Sequence, residues 1–99
     1  MTKQRLRDKL VEKLNYKTWT RRVLARNAKG EEVNPLSKQA VRWCVGGLQC
    51  KISKRSWMNS SPEWIELKND FVNKWTDSIT ETNDKFNFSE LKKRLINLY

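Results

Sequence analysis

The sequence predicts a small α+β domain, mostly helical, with three to four helices packed around an aromatic core and one short two-stranded β-hairpin. Three observations predict it. Apolar residues recur at helical spacing in several stretches, each preceded by a capping residue. Residues 16–33 break that spacing with β-branched and aromatic residues around an Asn-Ala-Lys-Gly turn. Finally, 99 residues with 37% hydrophobic content and five tryptophans make a single domain, 1–99, whose core is largely built from rings.

The elements follow in order. Thr2 is a cap for a first helix in which Leu6, Leu10, Val11 and Leu14 form one apolar stripe, with Asn15 as its stop. Arg5, Lys9 and Lys13 repeat every four residues as a basic ridge beside that stripe. Asn27 opens and Gly30 closes a turn, so a hairpin is expected with strands near 20–26 and 31–34, although Arg21 to Ala25 would also extend a helix. Asn34-Pro35 breaks that element. Ser37 then caps a second helix, with Leu36 and Val41 as a hydrophobic staple and Ala40, Val41, Cys44, Leu48 and Ile52 as its stripe. Gly46 and Gly47 interrupt the stripe at a cost of about 1 kcal/mol each relative to alanine. Such a cost is sensible where another element crosses too closely for a Cβ, and a phosphate cradle is the weaker alternative.

Ser53 to Ser61 is a polar connector holding Trp57 and Met58. Ser61-Pro62-Glu63 is a strong helix start: a cap, a proline at the first position and an acid at the positive end of the dipole. Trp64, Leu67, Phe71, Val72 and Trp75 carry that helix to about Ser78. Thr80 to Asp84 is expected as a loop. Asn87 with Glu90 forms a capping box for a last helix bearing Leu91, Leu95 and Leu98, and Phe86 is placed to staple onto Leu91.

Charge narrows the function classes. Residues 1–55 carry 15 Lys/Arg against 4 Asp/Glu, a net of +11, while residues 56–99 carry 6 against 7, a net of −1. A cationic half joined to a neutral half points to an anionic partner: nucleic acid, a phosphate-bearing small molecule or an acidic protein surface. The bland alternative is a lysine-rich protein kept soluble by its charge. There is no histidine, so the Ser-His-Asp triad, the Cys-His pair and most catalytic zinc sites are excluded. Cys44 and Cys50, six apart, sit about 120° around a helix and are expected as free thiols in a reducing compartment. Met1 is followed by alternating charges and no apolar run approaches about 20 residues, so a cytoplasmic protein without a membrane partner is expected.

Two stretches carry a family likeness. WTRRVLARNAKGEEVNPLSKQAVRWCVGGL and TNDKFNFSELKKRL, residues 19–48 and 82–95, lie in the order of a pattern of small bacterial and phage proteins of unknown function. In that pattern a Trp leads into an Ala-Arg-acid-Ala-x-Gly hairpin, a Pro-containing cap, an Ala-Val-x-Trp-Cys-x-x-Gly-Ala-Leu helix and a later aromatic-Asn-Asp turn. The chain resembles this family at Trp19, Ala25, Arg26, Gly30, Val33, Pro35, Ala40, Val41, Trp43, Cys44, Gly46, Leu48, Asn83 and Asp84. It departs with Asn27 for the acid, Gly47 for the alanine and Thr82 for the aromatic. The resemblance implies a compact, mostly helical domain of phage or mobile-element settings, and it brings no activity with it.

The candidate binding set is therefore basic: Arg5, Lys9, Lys13, Arg21, Arg22, Arg26, Arg42, Lys51, Lys54 and Arg55, with Trp57 and Trp19 available to stack. The function expected is non-catalytic binding of a polyanion, nucleic acid or a nucleotide, by a small phage-borne accessory protein in the host cytoplasm. No cofactor and no metal are expected. A second class is a protein-directed inhibitor of a host defence, nuclease or transcription machine, docking on an acidic host surface with Trp57 and Met58 as anchors. A third is an enzyme using Cys44, which lacks a histidine base. Asn83-Asp84 reads as a cap for the following helix, and Glu31-Glu32 as an exposed hairpin edge.

Overall fold

The predicted caps sit where helices need them. The Thr2 hydroxyl accepts from the Arg5 N–H at 3.1 Å and opens α1 (Lys3–Lys13). It satisfies one of the N–H groups that a helix start leaves without a partner. Ser61 accepts from the Trp64 N–H at 3.3 Å at the start of α3 (Pro62–Trp75). Asn87 accepts from the Glu90 N–H at 2.8 Å and opens α5 (Phe88–Ile96). The computed structural model describes all 99 residues, and the chain is a mostly helical α+β domain with a two-stranded antiparallel sheet.

It carries five helices, and two of them differ from expectation. Residues 80–84 are not a loop but part of α4 (Ile79–Lys85). Ser78 makes this possible: its hydroxyl accepts from the Glu81 N–H at 3.1 Å and its carbonyl from the Thr82 hydroxyl at 2.9 Å. The second difference is α2 (Val45–Ser53), which starts after Cys44 rather than after Ser37. Leu36 and Val41 are both exposed, so the expected staple does not form.

The reason lies in the sheet. β1 (Ala25–Arg26) pairs with β2 (Arg42–Trp43), Ala25 opposite Trp43 and Arg26 opposite Arg42. The Asn27–Gly30 turn forms as read, with the Gly30 N–H donating to the Asn27 carbonyl at 3.0 Å and Gly30 at φ 83°. Its return arm, expected as the strand 31–34, contributes only a bridge of Glu32 to Arg26. Residues 41–44 are instead tied to the first strand, by Val41 N–H to the Arg26 carbonyl at 2.9 Å and Cys44 N–H to the Leu24 carbonyl at 3.2 Å. The Trp43 indole N–H donates to the Pro35 carbonyl at 3.0 Å. These backbone pairings hold extended a segment whose apolar spacing alone reads as helix.

The core is centred on α1, which packs against α2, α3 and α5. Leu6, Leu10 and Leu14 join Val45 and Leu48 of α2, Trp64, Leu67 and Phe71 of α3, Ile79 of α4, and Leu91 and Leu95 of α5 in one buried cluster. Each such side chain contributes about 1.5–3 kcal/mol when fully buried. The first turn of α2 passes so close to the strand entering the sheet that a Cβ at Gly47 would lie 1.8 Å from the Leu24 carbonyl oxygen. Cys44 and Cys50 are free thiols. No helix is long and apolar enough to cross a membrane.

Candidate functional site

The ion pairs show which cations are already engaged. The N-terminal amine pairs with Glu63, Lys3 with Asp70, Arg7 with Asp8, Lys85 with Glu81, and Arg94 with both Asp77 and Glu90. None of the ten basic residues singled out in the sequence takes part in any of them.

Two grooves gather six of the chain's cations. Lys9 and Lys13, four residues apart on α1, project to one side, and the packing of α1 on α2 brings that ridge to Lys51. The three lysines line a hollow of about 340 Å³ with Thr18, Trp43, Leu48 and Ile52. Lys51 Nζ lies 4.7 Å from the centroid of the Trp43 ring, a cation–π contact. The neighbouring groove, about 600 Å³ and more open, is lined by Tyr16, Lys17, Trp19, Thr20, Arg21, Arg42, Asn87 and Phe88.

The 3₁₀ turn Tyr16–Thr18 stands between the grooves, giving Tyr16 and Lys17 to one and Thr18 to the other. They are also joined through the backbone, where Trp19 bridges Trp43 and the Thr20 N–H donates to the Trp43 carbonyl at 3.2 Å. The Trp19 and Phe88 rings lie 5.4 Å apart, and Tyr16 meets Phe88 edge-on at 5.8 Å. Arg21 sits 4.9 Å over the Trp19 ring and donates to the Phe86 carbonyl, while its Nε is buried without a hydrogen-bond partner. No Asp or Glu lines either groove.

The rest of the basic set lies elsewhere. Arg5 is exposed one turn before Lys9 on α1 and lines neither groove. Arg26 is engaged within the fold: its guanidinium donates to the Thr20 hydroxyl at 2.9 Å, the Gly30 carbonyl at 2.9 Å and the Arg21 carbonyl at 3.3 Å. It clamps the turn that the strands enclose. Lys54 and Arg55 are exposed at the end of α2, where Lys54 supplies the left-handed C-cap at φ 58°. Arg22 and Trp57 line a different hollow, of about 240 Å³, together with Leu24, Glu32, Cys44 and Asp84.

That hollow also places Asn83 and Asp84, whose role differs from the expected cap of α5. Asn83 is buried, and its carbonyl oxygen accepts from the Trp19 indole at 2.9 Å and the Val45 N–H at 3.0 Å. Its amide donates to the Thr20 carbonyl at 3.2 Å. Asp84 accepts from the Arg22 N–H at 2.8 Å, which holds Arg22 at φ 72°. The pair is thus a strut between α4, the start of α2 and the aromatic groove. Cys44 caps α2, its sulfur accepting from the Gly47 N–H at 3.3 Å. Burial pushes this thiol up, and the opposing pull of the Gly47 and Gly46 N–H groups does not offset it. Cys50 is pushed up to about 11 by burial and by its neighbour Cys44.

Sequence reasoning passed over Lys17, Tyr16, Trp43 and Phe88 as site residues. The available signal was the alternation Tyr16-Lys17-Thr18-Trp19, rings interleaved with a cation in a segment of no clear period. In comparisons with family models, curated proteins and solved structures, the chain matches none.

Proposed function

We propose that this chain is a non-catalytic accessory protein that binds a polyanion, nucleic acid or a nucleotide, through the basic face built by α1, α2 and the 3₁₀ turn. One observation carries the reading: Lys9, Lys13 and Lys51, with Lys17, Arg21 and Arg42 beside them, surround two aromatic-walled grooves that hold no carboxylate. Unpaired cations repel one another, so a fold that gathers them without a counter-charge is complementary to an anion. A thiol held in its protonated form is a poor nucleophile, which argues against Cys44 as the centre of an enzyme. The phage or mobile-element setting implied by the family resemblance, and a cytoplasmic location, belong to the same proposal.

The test is a fluorescence-anisotropy titration of labelled DNA, RNA and a mononucleotide at several salt concentrations. The triple variant Lys9→Glu, Lys13→Glu, Lys51→Glu is compared with a control of equal charge change, Lys29→Glu, Lys38→Glu, Lys93→Glu, at exposed positions outside both grooves. The expected result is binding that weakens steeply with salt. The first variant binds much more weakly, with a log–log salt slope flatter by about 2, whereas the control keeps most of its affinity. Equal losses in both variants would reduce the effect to net charge, and no binding at low salt would overturn the reading. The second reading, an inhibitor directed at a host protein, is favoured by Met58, which is 92% exposed beside the exposed Trp57. It predicts that Met58→Ser together with Trp57→Ser, not the lysine variant, abolishes capture of the host target.

A further inference from the structure

We infer that the occupant of the two grooves is single-stranded nucleic acid, DNA or RNA, lying across the 3₁₀ turn. A base rests against the Tyr16–Trp19–Phe88 cluster and the neighbouring phosphates lie on Lys9, Lys13 and Lys51. The inference rests on the polyanion reading above and narrows it.

Exposed ring area is the first argument. Tyr16 is 70% exposed at the lip of the larger groove, with Trp19 and Phe88 half-buried behind it. In a duplex the faces of the bases are hidden in the stack, and only an unpaired strand offers them to a side chain. The second argument is shape. Duplex readers push a convex helix into a major groove about 12 Å wide. Here Lys9, half-buried, and Lys13, exposed, instead line one wall of a hollow that Thr18, Trp43 and α2 complete. Volumes of about 340 and 600 Å³ fall in the range of small-molecule sites, a size that suits one base or one sugar-phosphate unit in each groove.

The third argument is the interleaving of charge and ring. Lys51 lies on Trp43, Arg21 on Trp19, and Lys92 lies 5.8 Å from the Phe88 centroid. A strand alternates flat apolar bases with anionic phosphates, and this face alternates their complements. Asn87, exposed at the groove wall, uses its side-chain oxygen to cap α5. Its amide N–H groups remain to donate to a base edge.

The experiment uses the full chain and fluorescein-labelled oligonucleotides of about 12 nucleotides. DNA and RNA are each offered as single strands and as the matched duplex, with Tyr16→Ala and Tyr16→Phe alongside. The single strand should bind at least tenfold more tightly than its duplex. Tyr16→Ala should weaken single-strand binding about tenfold while leaving the salt slope unchanged, and Tyr16→Phe should retain binding. Because the exposed Tyr16 ring still meets Trp19 and Phe88, Tyr16→Ala should lower the unfolding midpoint by no more than a few degrees, which excludes loss of fold as the cause. Duplex binding equal to or tighter than single-strand binding, or full affinity in Tyr16→Ala, would overturn this inference and leave the polyanion reading standing. Failure of both forms to bind at low salt would overturn the two together.

Discussion

At the scale of single residues, the two central glycines look alike in sequence and differ in space. A methyl group at Gly47 would meet backbone, the Leu24 carbonyl oxygen at 1.8 Å and carbon at 2.7 Å. Leu24 cannot retreat, because that same carbonyl accepts from the Cys44 N–H and ties the sheet to α2. At Gly46 the obstacle is the far edge of the Trp57 ring at 2.7 Å, a side chain in an exposed connector that can swing away. Alanine gains about 1 kcal/mol of helix propensity over glycine at either site. Gly47→Ala should therefore destabilise the domain by about 3 kcal/mol or more, or prevent folding. Gly46→Ala should fall within about 1 kcal/mol of the parent. Urea unfolding followed by tryptophan fluorescence distinguishes them, and similar midpoints for the two variants would refute the close crossing. Close packing on the Leu24 backbone accounts for the glycine at Gly47.

At the scale of elements, helix starts carry their own local chemistry. Replacing Asn87 by alanine removes the bond to the Glu90 N–H and should cost about 1 kcal/mol, read as a lower thermal midpoint by roughly 4–8 °C in a domain this size. A midpoint unchanged to within a degree would show that the cap is dispensable. This locality explains what was legible in the sequence. Thr2, Ser61 and Asn87 were readable because a cap bonds to a residue three positions on. The Asn27–Gly30 turn was readable for the same reason. The second strand was not, because residues 42–43 are extended through bonds to residues 19–26, many positions away, while their own apolar spacing continues that of α2. Asn83 shows the same limit: its partners Trp19, Thr20 and Val45 are 38 to 64 positions away, so next to Asp84 it read as a turn residue. The ridge of Arg5, Lys9 and Lys13 was legible as a helical repeat, and so was the cationic excess of residues 1–55, although Lys17 was passed over. The meeting of Lys9 and Lys13 with Lys51 over Trp43 was not, since it depends on how α1 packs against α2.

At the scale of the whole molecule, the polyanion proposal predicts that salt acts in opposite directions on the free protein and on its complex. The free chain carries a formal charge of +10, and mutual repulsion among its cations destabilises the folded state. Raising salt from about 20 mM toward 150 mM shortens the screening length to about 8 Å and should raise the thermal midpoint of the free protein. Replacing Lys9, Lys13 and Lys51 by glutamate takes the net charge from +10 to +4 and removes three neighbouring cations, so the variant should show a flatter salt response. Binding reverses the sign. A polyanion that binds only the folded chain adds about 2.7 kcal/mol at a hundredfold excess over Kd, worth roughly 10 °C or more in a 99-residue domain. That increment shrinks as salt weakens phosphate contacts. Thermal midpoints measured with and without a single-stranded oligonucleotide should thus start far apart at low salt and converge as salt rises. The lysine variant should show little gap at any salt. Parallel curves would mean that the stabilising contacts are not ionic, and coincident curves at low salt would mean that this face does not bind the strand. Convergence in the parent alone ties the charge asymmetry of the sequence to the groove between α1 and α2.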